Sequence, residues 1–282
     1  MIAITGASGQ LGRLVIQALL AKVPAHTVSA LVRDPAKAED LAELGIDVRH
    51  ADYSQPETLI SAFEGIDKLL LISSNELGQR AIQHQAVIDA AKAAGVKLLA
   101  YTSVLHADTS SLGLAAEHVQ TEQALKASGL PYAVLRNGWY SENYLASVPS
   151  ALEHGALLGS AGEGRISSAP RADYAEAAAV VLTAEGQAGH VYELAGDSSY
   201  SLAELATLVS AKAGKPVLYK DLPQAEFKAV LVSAGLPEPI ADLLADSDAA
   251  AAKGALFDDS KVLGGLIGRG TVPIAASLAA IG

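Results

Sequence analysis

Short apolar runs recur along the first half of this chain, at Ile2–Thr5, Val28–Val32, Asp47–His50, Lys68–Ile72, Lys97–Thr102 and Tyr132–Leu135, and they read as strands. Between them lie stretches of roughly ten to twenty residues with helical spacing, the length that a crossover between parallel strands needs. Several stretches carry their own punctuation. Asp34 followed by Pro35 is a helix cap with proline at the first helical position, Gly45 closes the same helix, and Gly95 closes the long stretch Gln79–Ala94. A repeated strand–helix–strand pattern folds as an α/β protein with a doubly wound parallel sheet, which binds ligands at the carboxyl ends of its strands. After about Gly138 the alternation stops. Helical stretches at Tyr174–Leu182 and Ser201–Ala213, with segments around Gln224–Leu231 and Pro239–Ala245, predict a smaller, mostly helical C-terminal lobe. The expected division is 1–137 and 138–282, with some of the later chain returning to the first domain.

The turn after the first run constrains the chemistry. In AITGASGQLG the glycines are Gly6, Gly9 and Gly12, and LVIQALL then begins a helix. Phosphate oxygens need bare backbone N–H groups and the positive end of a helix dipole, and side chains at those positions would hold the ligand away. The spacing G-x-x-G-x-x-G departs from the more widespread G-x-G-x-x-G, so its weight comes from its place between strand and helix. The loop Gly6, Ala7, Ser8, Gly9, Gln10, Leu11 and Gly12 is thus expected to cradle a dinucleotide diphosphate in a Rossmann-type domain. Glycines that merely make a tight turn are the competing reading.

Composition narrows the remainder. Half of the 282 residues are hydrophobic, but no run approaches the ~18 apolar residues of a membrane span, and no basic segment with a cleavage site follows Met1. The chain reads as soluble and cytoplasmic. It has no cysteine, which excludes disulfides, thiolate metal sites and a cysteine nucleophile. A formal charge of −11 without a basic cluster argues against nucleic-acid binding, so an anionic cofactor must be held by local donors.

The second strand bears on which nicotinamide cofactor fits. An NAD site places an acid at the end of that strand, whereas this strand ends in Val32-Arg33. A guanidinium binds a 2′-phosphate through paired hydrogen bonds, so Arg33 favours NADP(H) unless it is an ordinary exposed charge. Asp34 reads as the helix cap. Asp52, after the third strand, either accepts from the adenine amino group or caps the next helix. Ser73, Ser74 and Asn75, at the end of the fourth strand, are placed to meet the ribose or diphosphate.

With these residues the chain resembles a known family. The Thr5–Gly12 loop, Arg33, Ala51-Asp52-Tyr53, Leu69 to Ser74, Tyr101-Thr102-Ser103 and Leu135 to Asn143 are similar to the NmrA-like branch of the atypical short-chain dehydrogenases. Leu105 to Thr109 and Phe257 to Lys261 add a likeness to the bacterial NAD(P)H:quinone oxidoreductases of type 2 within that branch, with triphenylmethane dye reductases nearby. The resemblance implies a flavin-free reductase that uses NADPH and hands hydride to quinones, and the lack of metal-ligand spacing adds the expectation of no metal. It also implies that Ser103, Asn137, Gly138, Trp139 and Tyr140 join the cofactor site.

The expected active site lacks one familiar device. Short-chain dehydrogenases acting on alcohols use Tyr-x-x-x-Lys, in which lysine lowers the tyrosine pKa for proton exchange. No tyrosine here has a lysine four residues later. Where the pair would fall, His118 and Glu122 share a helix face and read as a solvated i,i+4 pair. A quinone tolerates this loss, because it is electrophilic without a proton donor and its reduced oxygens can take protons from water. The catalytic candidates are then Asn137, which could fix the nicotinamide carboxamide or ribose, Tyr140, which offers a flat surface with Trp139, and His106, which could donate to a quinone oxygen. Trp139 has a competing reading as a hydrophobic plug between lobes. For His106 the competing reading is an incidental loop histidine.

Other chemistries find little support. Seven histidines and thirty-one acids show no H-E-x-x-H and no close ligand spacing, and no G-x-S-x-G elbow is present. His84, on the fourth helix, and His154 read as structural or exposed, and Asp173 with Arg171 as a helix cap. The expected partner is a small-molecule quinone, with no nucleic acid and no membrane, for a monomer or homodimer. Two alternatives stand beside this: an NADP(H)-binding redox sensor acting through a protein partner, and a reductase of another planar acceptor such as a triphenylmethane dye.

Overall fold

Each run becomes a strand, and the central ones, Val28–Val32 and Leu98–Val104 among them, are buried on both faces. The structure, a computed structural model, describes residues 1–281. Its strands are β1 (Ile2–Thr5), β2 (Val28–Val32), β3 (Asp47–His50), β4 (Lys68–Leu71), β5 (Leu98–Val104), β6 (Tyr132–Asn137), β7 (Ala156–Gly159), β8 (Val191–Leu194) and β9 (Leu218–Asp221). Seven form one sheet in the order β3-β2-β1-β4-β5-β6-β8. All pairings from β3 to β6 are parallel. The chain winds outward from β1 through β2 to β3, then returns to build β4, β5 and β6 on the other side. The switch point lies between β1 and β4, where such sheets open a crevice.

The chain divides into two units. The first holds Met1–Val104, Ala116–Asn137 and Arg171–Tyr192. Leu59, Phe63, Leu69, Leu71, Ile88, Leu99 and Tyr101 pack one core of this unit. Helix Gln10–Leu20 buries Leu11, Val15, Ile16 and Leu19, the spacing that points one face inward. Helix Arg171–Thr183 packs against it, and the small side chains Ala175, Ala178 and Ala179 keep the approach close. At Asp34 the carboxylate accepts from the Ala36 amide at 3.2 Å. Pro35–Ala38 is then a 3₁₀ turn that leads into the short helix Glu39–Glu43, so the single helix expected there is broken into two. Gly95, at φ 72°, ends helix Arg80–Ala94 in the left-handed conformation that glycine adopts without steric cost.

The second unit holds Leu105–Ala115, Gly138–Pro170 and the chain from Glu193 onward. It has a two-stranded parallel sheet of β7 and β9 among helices. Ser201 caps Leu202–Ala213, its hydroxyl accepting from the Glu204 amide while the Glu204 carboxylate accepts from the Ser201 amide. Helices Gln224–Ser233 and Glu238–Ala251 pack on each other, and Lys228 reaches Glu238 at 3.3 Å and Asp242 at 2.9 Å. Only Phe227 of Gln224–Ser233 is buried. Among the described residues, no helix is long and apolar enough to cross a membrane.

Candidate functional site

At the carboxyl ends of β1, β2 and β4 the first unit opens a cleft of about 300 Å³. Gly6, Ser8, Gly9, Gln10, Leu11 and Gly12 form one wall, and Arg33, Asp52, Ser73, Ser74 and Asn75 line the others. Gly6 stands at φ 57°. A Cβ on Gly12 would lie 2.4 Å from the Gly6 carbonyl oxygen and 2.7 Å from the Ala7 Cα, so the helix can seat on the loop only without a side chain there. Ala7 is wholly buried beneath the loop. Helix Gln10–Leu20 begins at Gly9 with no side-chain cap and no acid in its first turn. Its leading amides are therefore not neutralised by the chain itself, and a helix end in that state favours an anion.

The far wall is held by a buried hydrogen-bond lattice. The Ser74 amide donates to His84 Nε2 at 2.9 Å, and Arg80 Nε donates to the Ser74 carbonyl at 2.6 Å. Because His84 Nε2 accepts, its other nitrogen carries the proton toward Thr121 Oγ1, 2.9 Å away. Burial, assisted by the charge of Arg80, lowers the His84 pKa to about 4, so the ring is neutral and the acceptor is kept. The Tyr53 hydroxyl bridges Thr5 Oγ1 and the Ile72 carbonyl beneath the cleft. Burial raises its pKa, which keeps it a donor. At the rim Arg33 meets Glu76 at 3.0 Å, and Glu76 also accepts from Gln83 Nε2 at 2.7 Å. Gln83 Oε1, which lines the same cleft, is buried with no hydrogen-bond partner. The Asp52 carboxylate accepts from the Ser54 amide at 2.9 Å and from Gln55 at 3.2 Å, in the manner of a capping turn.

Ser103 and Asn137 lie at the ends of β5 and β6, outside the lining of that cleft. The Ser103 hydroxyl donates to Glu122 Oε1 at 2.6 Å, and Arg136 Nη2 reaches Glu122 Oε2 at 2.7 Å. His118 is buried, with Nδ1 2.7 Å from the Tyr101 hydroxyl. The expectation of a solvated His118–Glu122 pair is corrected here. Both side chains turn inward because β5 and β6 offer Tyr101, Ser103 and Arg136 as partners, and burial lowers the His118 pKa to about 3. His84 is likewise interior, and Asp173 is fully buried in the first turn of helix Arg171–Thr183.

Gly138, Trp139, Tyr140 and His106 belong to the second unit. The Gly138 amide donates to the Leu194 carbonyl at 2.7 Å, and the Tyr140 carbonyl accepts from the Asn143 amide at 3.0 Å. His106 sits at φ 52°, a strained setting for a residue with a Cβ. Its amide donates to Glu193 Oε2 at 2.8 Å, and its ring lies between Glu193, 3.5 Å from Nδ1, and Asp258, 3.3 Å from Nε2. Trp139 and Tyr144, with ring centroids 6.5 Å apart, form one side of a second cavity of about 470 Å³. Among the described residues no cluster of side chains could hold a metal ion.

The description of the NmrA-like family matches residues 1–267, nearly the whole chain. The chain belongs to the NmrA-like family. This NmrA-like chain is 60% identical over 278 residues to Quinone oxidoreductase 2 of Escherichia coli (strain K12), covering 99% of the chain and 97% of that protein. It superposes with a TM-score of 0.97 on the crystal structure of an NADPH-dependent quinone oxidoreductase from Escherichia coli complexed with NADPH, at 60% identity and 99% coverage of both chains. Citrobacter sp. triphenylmethane reductase complexed with NADP(H) gives a TM-score of 0.95 at 41% identity, again over 99% of both chains. The α/β fold expected from the sequence is the fold of these relatives. Gln83, the Ser74 clamp of Arg80 and His84, and the acid Asp248 escaped the sequence reading, since each takes its meaning from residues distant in the chain.

Proposed function

We propose that this chain is an NADPH-dependent, flavin-free reductase that transfers hydride to quinones. The observation that carries the reading is the 60% identity, along almost the full length of both chains, to Quinone oxidoreductase 2. The cleft supports it independently. A helix start with no cap of its own suits a diphosphate, Gly12 lets that helix start seat close on the Gly6–Ala7 backbone, and the buried Gln83 Oε1 lacks a donor of the kind an adenine amino or ribose hydroxyl supplies.

NADPH would be held by the Gly6–Gly12 loop at its diphosphate and by Arg33 at its 2′-phosphate, in competition with Glu76. Asp52, Gln83, Ser73, Ser74 and Asn75 complete the nucleotide contacts, and Ser103, Asn137, Gly138, Trp139 and Tyr140 serve the nicotinamide half. When bound, the reduced nicotinamide supplies the hydride. The task of the chain is orientation and exclusion of water. Asn137 fixes the reactive half, Trp139 and Tyr140 give a planar acceptor flat surfaces, and Glu122 holds Ser103 and Arg136 where an activated tyrosine would otherwise stand. His106, between two carboxylates, is a candidate proton donor, but a reduced quinone can also take its protons from water. The same reading gives a monomer or homodimer acting in the cytoplasm on a diffusible quinone, with neither flavin nor metal.

The test is oxidation of NADPH, followed by loss of its reduced-nicotinamide absorbance, with and without a simple benzoquinone, on protein shown to carry no flavin. Quinone-dependent oxidation is expected. Tight binding of both NADP⁺ and NADPH, with no turnover of any quinone tried, would instead mark a redox sensor and overturn the proposal.

A further inference from the structure

Helix Gln224–Ser233 and the residue that caps it place Phe227, Val230, Leu231 and Ala234 on one stripe, at i, i+3, i+4 and i+7. In most helices such a stripe meets packed core. Here all four residues line the 470 Å³ cavity of the second unit, so the stripe faces open space. Apolar surface facing a cavity large enough for water gains free energy when an apolar ligand covers it, and a volume of this size is that of a small-molecule site. Trp139 and Tyr144 give the cavity an aromatic side.

One carboxylate interrupts these walls. Asp248 lines the cavity and is 4% exposed. The Tyr144 hydroxyl donates to its Oδ1 at 2.8 Å and the Ser160 amide to its Oδ2 at 2.9 Å. These are its described hydrogen-bond partners, and no described lysine, arginine or histidine forms an ion pair with it, although Lys220 and His154 line the same cavity. The two hydrogen bonds orient the charge without neutralising it. A buried charge without a counter-ion is costly, and a ligand that brings the opposite charge removes that cost.

We propose that this cavity takes the hydride acceptor and that Asp248 makes it favour flat aromatic cations over neutral or anionic molecules of the same shape. The inference rests on the reductase reading for the word acceptor; the charge preference itself stands on the cavity. A delocalised cation is weakly hydrated, so it enters an apolar space at small desolvation cost, and it gains both the Asp248 charge and the faces of Trp139 and Tyr144. A neutral quinone gains only the walls.

Trp139 is the only tryptophan of the chain, so its fluorescence reports the cavity directly. Three tricyclic probes of one shape separate charge from fit: N-methylacridinium, acridine kept neutral in mildly alkaline buffer, and anthracene-2-sulfonate. The cation is expected to quench Trp139 with an affinity at least about tenfold above that of acridine, and the sulfonate to bind most weakly. Asp248→Asn, which can still engage both Ser160 and Tyr144, should bring the cation to the level of acridine and leave acridine unchanged. Ala234→Phe, which fills the space, should weaken all three. Equal affinities for the three probes, a preference that survives Asp248→Asn, or quenching that survives Ala234→Phe would each overturn the proposal. Benzoquinone turnover of the unmodified protein is measured in parallel: its absence would sink the reductase reading, whereas the affinities decide the role of Asp248 whatever that assay gives.

Discussion

Arg33 holds its guanidinium out at the rim of the first unit's cleft, its side chain 64% exposed and paired with Glu76, itself 42% exposed. A charge so placed contributes little to folding and is available to a ligand. Arg33→Ala is therefore expected to weaken NADPH binding by ~1.5–3 kcal/mol while barely changing NADH, because only the charged hydrogen bonds to the 2′-phosphate are lost. Titration of both cofactors checks this, and equal losses would remove the assignment. Asp248 makes the opposite case. Burial, outweighing the hydrogen bonds from Ser160 and Tyr144 and assisted by the nearby charge of Asp221, raises its pKa to about 6. The folded protein then holds a proton that the unfolded chain has already released, so stability falls as pH rises from about 4 through 6. In Asp248→Asn that component of the slope should vanish, a difference on the order of 2 kcal/mol between pH 4 and 7 in denaturant titrations. A slope identical in both proteins would contradict the raised pKa. At this scale the sequence places Arg33 and Ser73 to Asn75 at strand ends, and the structure has them lining the cleft. The sequence conceals Asp248, because Tyr144 and Ser160 lie far from it along the chain.

Among the elements, the glycine loop and the helix it starts behave as one piece. Gly12 lets the helix rest on the Gly6 carbonyl, so Gly12→Ala should cost about 1–3 kcal/mol of stability through overpacking and should weaken both nicotinamide cofactors. A thermal melt with a cofactor titration tests it; unchanged values would mean that the loop is not in the tight form described. Most of the six strands are legible because a strand buried on two faces needs a continuous apolar run, whereas the half-buried edge strand Asp47–His50 is legible from its place in the strand–helix alternation. The strands β7, β8 and β9 are not. Ala156–Gly159, Val191–Leu194 and Leu218–Asp221 are four residues each, with no strong alternation, and their pairing is set by neighbours rather than by their own composition. Helix Ala115–Ser128 shows the same limit in another form. Its His118 and Glu122 read as surface groups until β5 and β6 bring Tyr101, Ser103 and Arg136 beside them.

Across the whole molecule, few groups near the proposed chemistry are able to change charge above neutral pH. His84 and His118 are neutral, with pKa values lowered to about 4 and 3, Tyr53 and Tyr101 are raised, and no Tyr-x-x-x-Lys pair exists. The expected outcome is a kcat/KM for benzoquinone that varies little between about pH 7 and 8.5. A limb that disappears in His106→Ala would make that histidine a general acid and reject a supply of protons from water alone. Helix Gln224–Ser233 carries a different consequence. A segment that buries only Phe227 and otherwise rests on Glu238–Ala251 and the Lys228 ion pairs, with Val230 and Leu231 on a cavity, opens at a small fraction of the free energy that unfolds the sheet. Its amide protons should exchange with deuterated solvent long before those of β5, and a molecule seated beneath it should slow that exchange across residues 224–233 while leaving β5 as it was.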